Sequence, residues 1–414
     1  MKNLYLVSTL ALLTLLLAPA PAVAAETGDL RFTINGEIEG LMPGDTLTLE
    51  KCDVLTWENQ PVCDIIVEEA GRFSYAGSHP HTQYYGITYK PLSGKRLSLS
   101  KRDIPLLIKE GAIDISGTAE YIYFSKLKGG FYDDPYLQRY LQLDDSLGIE
   151  RSKFYKLRDE AMLASDTTLG LEYQNKGNTF SSDCIEEFQR LEQLKEEFMR
   201  NSLSSELVAL EILRAVNYSP LESTHDSYGK LAEDTKESYY GKLLADRIET
   251  LERLAPGQPA PDFKLTTTEG KEVVLDDYAG SHLLIYQFGL CPGSMYIDSH
   301  VKALYDKYKD RNFEILGITE SFGTLESVRD LVPPNEEIFG INILDAIKSM
   351  LSHPWKDVQS SYGNNNRIVT DYAFGGQPYF IFISPEGKLI ARDFHDAFDK
   401  AKEVLGEQYP DTTE

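Results

Sequence analysis

Apolar and polar residues alternate through residues 30 to 117. LRFTINGEIEG, DTLTLEKC, VCDIIVEEAGRFSYAG, QYYGITY and GAIDISG each send every second side chain to one face, with Gly, Asp and Pro between the runs. That is the pattern of strands buried on one side. From residue 130 the period lengthens. YLQRYLQLDDSLG, DCIEEFQRLEQLKEEFMRN, SELVALEILRAV and YYGKLLADRIETLERL repeat apolar residues at three- and four-residue steps, which predicts about five helices over this stretch. Ser219-Pro220-Leu221-Glu222 has the form of a capping box with proline at the first helical position. LAPGQPAPDF, residues 254 to 263, is a Pro/Gly-rich joint. Beyond it, HLLIYQF and NFEILGIT read as fully buried strands. Each is followed by a helix, one from about Ser294 to Tyr308 and one over LESVRDLV. YFIFIS and KLIARDF form a hairpin across Pro385-Glu386-Gly387, and AFDKAKEVLG closes the chain as a helix. Strand-helix-strand followed by hairpin and helix predicts a mixed sheet covered by helices.

These periods divide the chain into a multidomain α-and-β protein. The expected parts are a signal peptide at 1–24, a β-rich, sandwich-like antiparallel domain at 25–125, a helical domain at 126–253 and an α/β domain at 254–414. The leader reading rests on Lys2, the apolar run Leu4 to Leu17 and the small residues Ala22-Val23-Ala24. It predicts export to a bacterial periplasm, with no membrane insertion after the leader is removed. A formal charge of -24 opposes nucleic acid and anionic membrane as partners.

Four cysteines in 414 residues are too few for a disulfide scaffold. Cys52 ends one predicted strand and Cys63 begins the next, so a structural disulfide across the hairpin is expected, with two thiols at unmatched registers as the other reading. Cys184 sits among Ile185 and Phe188 and reads as a packed core residue. His79-Pro80-His81 reads as a polar loop. No cysteine or histidine spacing suits a metal, and no cofactor is expected.

The chemistry concentrates in IYQFGLCPGSMYIDSH, residues 285 to 300. A buried strand ends, Cys291 follows, and Ser294 stands three residues on at a helix start. With GQPAPDFKLTTTEGKEVVLDDYAG before it and GGQPYFIFISPEGKLIARDF after it, the region resembles the thioredoxin superfamily. It is closest in pattern to the TlpA-like branch grouped with the alkyl hydroperoxide reductase and thiol-specific antioxidant family. HPWKDVQSSYGNNNRIVTDYAF fits the same branch. A β-rich domain, a helical domain and a thioredoxin-like domain in this order resemble an envelope architecture of gut-type bacteria, in which GRFSYAG and NYSPLE have counterparts.

The resemblance implies a thioredoxin fold, a cis-proline at Pro378, and client binding along Gln377, Pro378 and Leu290. It also implies thiol-disulfide chemistry at Cys291. A disulfide reductase uses a first thiolate to form a mixed disulfide and a second thiol to resolve it. A helix start favours the first anion by about 0.3 to 1 kcal/mol at an exposed site. Ser294 replaces the second thiol; a hydroxyl can hydrogen-bond to a thiolate but cannot resolve a mixed disulfide. The family's tryptophan before the first cysteine is Leu290 here, the order Pro292-Gly293 is reversed, and thioredoxin's buried acid falls at Ile285. There are three readings of the region. Cys291 is a monothiol that exchanges with protein or small-molecule thiols and disulfides; the domain is a redox-inactive binding or scaffold platform; or the protein is a thiol peroxidase. The last is weakest, because the threonine and proline that peroxiredoxins place before the cysteine are Phe288 and Leu284. His300 and His395 read as surface or packing residues.

Overall fold

The computed structural model describes residues 28–56, 59–92, 103–267, 269–320, 337–338 and 341–410. The expected leader and the LESVRDLV helix lie outside the described residues. Packing divides the chain into two units. The first holds the residues up to Cys52 together with Asn59–Ser202; the second holds Asp53–Glu58 and Leu203–Glu414.

The first unit contains β1 (Leu30–Glu39), β2 (Thr46–Cys52), β3 (Asn59–Ile66), β4 (Arg72–His79), β5 (Gln83–Lys90), β6 (Asp103–Ile108), β7 (Gly111–Thr118) and β8 (Lys126–Lys128). They form two four-stranded sheets, β4-β1-β7-β8 and β3-β2-β5-β6. β1 runs parallel to β7, while every other pair in the two sheets is antiparallel. Alternation reports which face a side chain takes, not strand direction, so the sequence reading of an antiparallel domain meets one parallel pair. The buried rings of Phe32 on β1 and Tyr85 on β5 meet between the sheets. Helices α1 (Pro135–Leu163), α2 (Thr167–Asp183) and α3 (Ile185–Asn201) complete the unit. Asp134 starts α1 by accepting from the Tyr136 and Leu137 amides, with Pro135 at the first helical position. Cys184 lies at the joint between α2 and α3 rather than on a helix face.

Cys52 and Cys63 are not bridged. Cys52 lies opposite Asn59, whereas Cys63 lies opposite Leu49, and the ladder shifts register between Leu49 and Glu50. The hairpin therefore staggers the two sulfurs, which corrects the expected disulfide. Cys63 hydrogen-bonds with Tyr75, and burial pushes its thiol up from the ordinary range. His79 is buried, not part of a polar loop. It bonds the Tyr85 hydroxyl, and burial pushes its pKa down to about 4.

The second unit begins with α4 (Glu206–Ala215), α5 (Leu221–Lys230), α6 (Glu233–Lys236) and α7 (Tyr239–Arg253). The periodic stretch read as one helical domain thus divides at Ser202, with α4 to α7 grouping with the C-terminal sheet and its helices. A ribbon of β9 (Lys264–Thr266) and β10 (Glu272–Val274) leads to β11 (His282–Phe288), α8 (Pro292–Tyr308) and β12 (Phe313–Thr319). Then come the short pair β13 (Glu337–Ile338) and β14 (Ile341–Asn342), α9 (Ile343–Met350), β15 (Lys356–Gln359), α10 (Arg367–Asp371), β16 (Tyr379–Ile383), β17 (Leu389–Asp393) and α11 (Asp396–Gln408). The central sheet has the order β15-β12-β11-β16-β17. β11, β12 and β15 are parallel, and β16 and β17 are antiparallel to their neighbours. Every residue of β11 and β16 is buried, as the unbroken apolar runs require. One core gathers Tyr286, Phe288, Phe380 and Phe382 from the sheet with residues of α8, α9 and α11. Phe380 stacks on Tyr286 at 5.0 Å.

Candidate active site

β11 carries the chain to the edge of the core and releases it at Gly289. The turn is tight. A Cβ on Gly289 would lie 1.6 Å from Gln377 Oε1, so only glycine lets the Gln377 side chain lie across the turn. Leu290 follows at 44% exposure. Cys291 is the N-cap of α8, with Pro292 at the first helical position. A sulfur replaces the usual capping oxygen here. The Ser294 amide donates to Cys291 Sγ at 3.4 Å, satisfying one of the helix's orphan N–H groups.

Ser294 is fully buried. Its Oγ lies 3.2 Å from Cys291 Sγ and accepts from the Gly289 amide at 3.2 Å. Cys291 Sγ also lies 3.4 Å from the Gln377 carbonyl. The Cys291 thiol has two acceptors in reach, Ser294 Oγ and the Gln377 carbonyl, and Gly289 N–H also donates to the serine oxygen. The Gln377–Pro378 peptide bond is cis. A Cβ on Gly293 would meet Pro378 Cδ at 3.0 Å, so the reversed Pro-Gly order leaves the small residue facing the proline ring. Cys291, Ser294, Gln377 and Pro378 thus meet at one point, with Leu290 on its exposed rim.

A cavity of about 360 Å³ opens beside Gln377 and is lined by Gln287, Tyr218, Asn366, Phe374 and Gly376 among others. Gln287 is buried and its Oε1 has no partner among the described residues. Among the described residues no group of His, Cys, Asp and Glu side chains is arranged to hold a metal.

A second cluster escapes sequence reasoning. His353, fully buried, bonds Asp298 Oδ1 at 2.7 Å through Nε2 and Asp357 Oδ2 at 2.8 Å through Nδ1. Ser349 donates to Asp298 at 2.9 Å, and Lys302 lies 3.5 Å from the same carboxylate. Burial opposes charge on His353, but its two carboxylate bonds outweigh that and raise its pKa. Burial likewise opposes charge on Asp298, yet bonds from His353 and Ser349 bring its pKa below the usual range. Asp357 moves up because burial dominates. Asp298 sits on the helix that Cys291 caps, and the cluster borders Phe288 and Tyr286, whose rings lie 4.8 and 6.3 Å from His353. Ile285, where an acid was sought, is instead a fully buried core residue. Only the His353/Asp357 spacing was visible in HPWKD; the link to Asp298 crosses 55 positions. His300 is exposed and bonds Tyr296 and Ser299, and His395 precedes α11.

Residues 256–392 match the model of the AhpC/TSA family. The matched segment holds the central sheet with Cys291 and Pro378. The chain is 24% identical over 157 residues to the thiol-disulfide oxidoreductase ResA of Bacillus cereus, covering 37% of this chain and 75% of that protein. It is 21% identical over 173 residues to ResA of Bacillus anthracis, covering 41% and 78%. Among solved structures, the thioredoxin domain of a thiol-disulfide oxidoreductase from Bacteroides vulgatus is 21% identical, with 37% of this chain and 99% of that one covered and a TM-score of 0.29. A thiol-disulfide oxidoreductase from Bacteroides fragilis is 26% identical, covering 36% and 100%, with a TM-score of 0.27. None of the described helices is long and apolar enough to cross a membrane.

Proposed function

We propose that the protein is an exported thiol-disulfide exchange protein working through one sulfur, Cys291. The observation that carries this is the sulfur's position: it caps α8 while Ser294 occupies, fully buried, the place of a second thiol. In the exchange, the Cys291 thiolate attacks one sulfur of a client disulfide. A Cys291–client disulfide forms and the client's other sulfur leaves as a thiolate. An external thiolate then attacks the client sulfur, forming a new disulfide with it and returning the Cys291 thiolate. One disulfide enters and one leaves, so no further oxidant or reductant is needed. Ser294 holds the sulfur by its amide and hydroxyl and takes no part in resolution. Gln377 and Pro378 border the sulfur and supply backbone for an extended client to pair with. The leader at 1–24 supports a periplasmic setting.

Trapping tests this. Non-reducing gels of envelope extracts are expected to show adducts that vanish with reductant and with Cys291→Ala. The second reading is a binding platform, favoured by the exposed Leu290 and by the cavity that opens beside Gln377. It requires partners to co-purify equally with wild type and Cys291→Ala and no reductant-sensitive band. A peroxidase reading has little support, since a fully buried Phe288 stands where a peroxide site would have a threonine hydroxyl, and Leu284 stands where it would have a proline.

A further inference from the structure

Between α10 and β16 the chain runs irregularly from Ala373 to Gln377, and three successive carbonyls there are each taken by a side chain. Arg392 Nη2 donates to the Ala373 carbonyl at 2.7 Å. Arg247 Nη2 donates to the Phe374 carbonyl at 3.3 Å and to Asn217 Oδ1 at 2.9 Å. Tyr218 donates its hydroxyl to the Gly375 carbonyl at 2.9 Å. Two residues later the Gln377 carbonyl meets Cys291 Sγ.

This arrangement is costly. Arg247 is 4% exposed, and the Nε–H groups of both arginines are buried with no acceptor among the described residues. Burial, then the neighbouring Arg392 charge, lowers the Arg247 pKa to about 10. Among the described residues neither guanidinium bonds a carboxylate; their hydrogen bonds go to Asn217 and to backbone carbonyls. A buried and a half-buried like charge, the second also lying 5.5 Å over the Tyr379 ring, would be replaced without loss by apolar side chains if filling space were their only role. What apolar side chains could not supply is a fixed direction for consecutive carbonyls. The backbone needs that fixing, because Ala373 sits at φ 51° and Gly376 at φ 151°. The seam is also tight, since a Cβ on Gly375 would lie 2.9 Å from Asn217 Cβ. Asn217 and Tyr218 open the NYSPLE stretch, which the exchange chemistry leaves unused.

We propose that Tyr218, Arg247 and Arg392 are positioning residues of the Cys291 site, holding the carbonyls of Ala373 to Gly375 so that the Gln377 backbone is set against the sulfur and an incoming client. Helices α4 to α7 and the link after α4 thereby become part of the exchange apparatus. The inference rests on the exchange reading above.

The test uses the full chain as wild type, Tyr218→Phe, Arg247→Met and Arg247→Lys. Three readings are taken on each: alkylation of Cys291 by iodoacetamide, which needs only the sulfur; mixed-disulfide formation with an extended peptide carrying an activated pyridyl disulfide; and hydrogen exchange of the Gly375, Gly376 and Gln377 amides. Tyr218→Phe removes one hydroxyl from a 61%-exposed ring and is expected to slow the peptide reaction about 5-fold, the worth of one hydrogen bond. Arg247→Met is expected to slow it about 10-fold or more, as for a charged donor, and Arg247→Lys to recover part of that. Iodoacetamide alkylation is expected to stay at the wild-type rate while the three amides exchange faster. The proposal is overturned if peptide and iodoacetamide reactivity fall together, if neither falls, or if exchange at the three amides is unchanged. Should wild type form no peptide adduct at all, the exchange reading fails, and the amide exchange alone decides the positioning role.

Discussion

Ser294→Cys is the sharpest perturbation of the site. The serine oxygen already lies 3.2 Å from Cys291 Sγ, so a sulfur on the same rotamer starts about one ångström from disulfide bonding distance. Reaching it needs only a small side-chain rotation. The second thiol attacks Cys291 of a mixed disulfide, expels the client thiolate and leaves an internal disulfide that a dithiol reductant reopens. Intramolecular attack from a held position carries effective molarities far above any added thiol, so client release is expected to quicken at least about 100-fold over release by millimolar external thiol. There is an opposing term. Ser294 Oγ accepts the buried Gly289 amide at 3.2 Å, and sulfur is a poor acceptor, so the reduced variant is expected to lose about 1 to 3 kcal/mol of stability. The assay loads Cys291 with a chromogenic thiol and follows its release by stopped flow, with unfolding midpoints measured on the reduced protein. Wild-type release rates in a folded variant whose two thiols both titrate would refute the reasoning.

The same contacts set three further outcomes. His353→Leu leaves Asp298 and Asp357 buried without their shared partner and is expected to cost about 3 to 5 kcal/mol in chemical denaturation; in wild type the raised His353 pKa gives stability that is full below the unfolded value and lost as pH rises through the folded one, while the lowered Asp298 pKa gives stability lost as pH falls, so thermal melts across pH should show both limbs and His353→Leu should weaken each. Gly375→Ala places a Cβ 2.9 Å from Asn217 Cβ and 3.1 Å from the Phe394 and Tyr379 rings, and is expected to cost about 1 to 3 kcal/mol and to weaken client trapping, read by melts and non-reducing gels. Unreduced, denatured protein is expected to alkylate at both Cys52 and Cys63 in peptide mass spectrometry; recovery of a bridged peptide would contradict the staggered register.

Whatever one continuous segment decides was legible in the sequence. The all-buried runs at 282–288 and 379–383 name the central strands, and a cysteine before Pro-Gly-Ser at a helix start names the site. Features resting on distant pairs were not legible. Tyr218 and Gly375 are 157 positions apart, Arg247 and Phe374 127. Nothing in the local pattern of α4 and α7 distinguishes a helix that only packs on other helices from one that braces the loop before Pro378. The cysteine pairing failed for a local reason that composition hides: Cys52 pairs with Asn59, so Cys63, four residues further along β3, falls opposite Leu49. Asp298 carries no local signal on α8, because its partners lie on later elements.

The buried His353 cluster also gives the molecule an optical property. Trp355 lies flat against His353, ring centres 4.3 Å apart and planes 24° from parallel. Protonated imidazole in stacking contact quenches indole emission, whereas neutral imidazole quenches it far less. The chain has only two tryptophans, Trp57 and Trp355, so Trp57→Phe leaves a single emitter seated on the titrating ring. Its fluorescence then reads the charge state of the cluster from inside the fold, without a label.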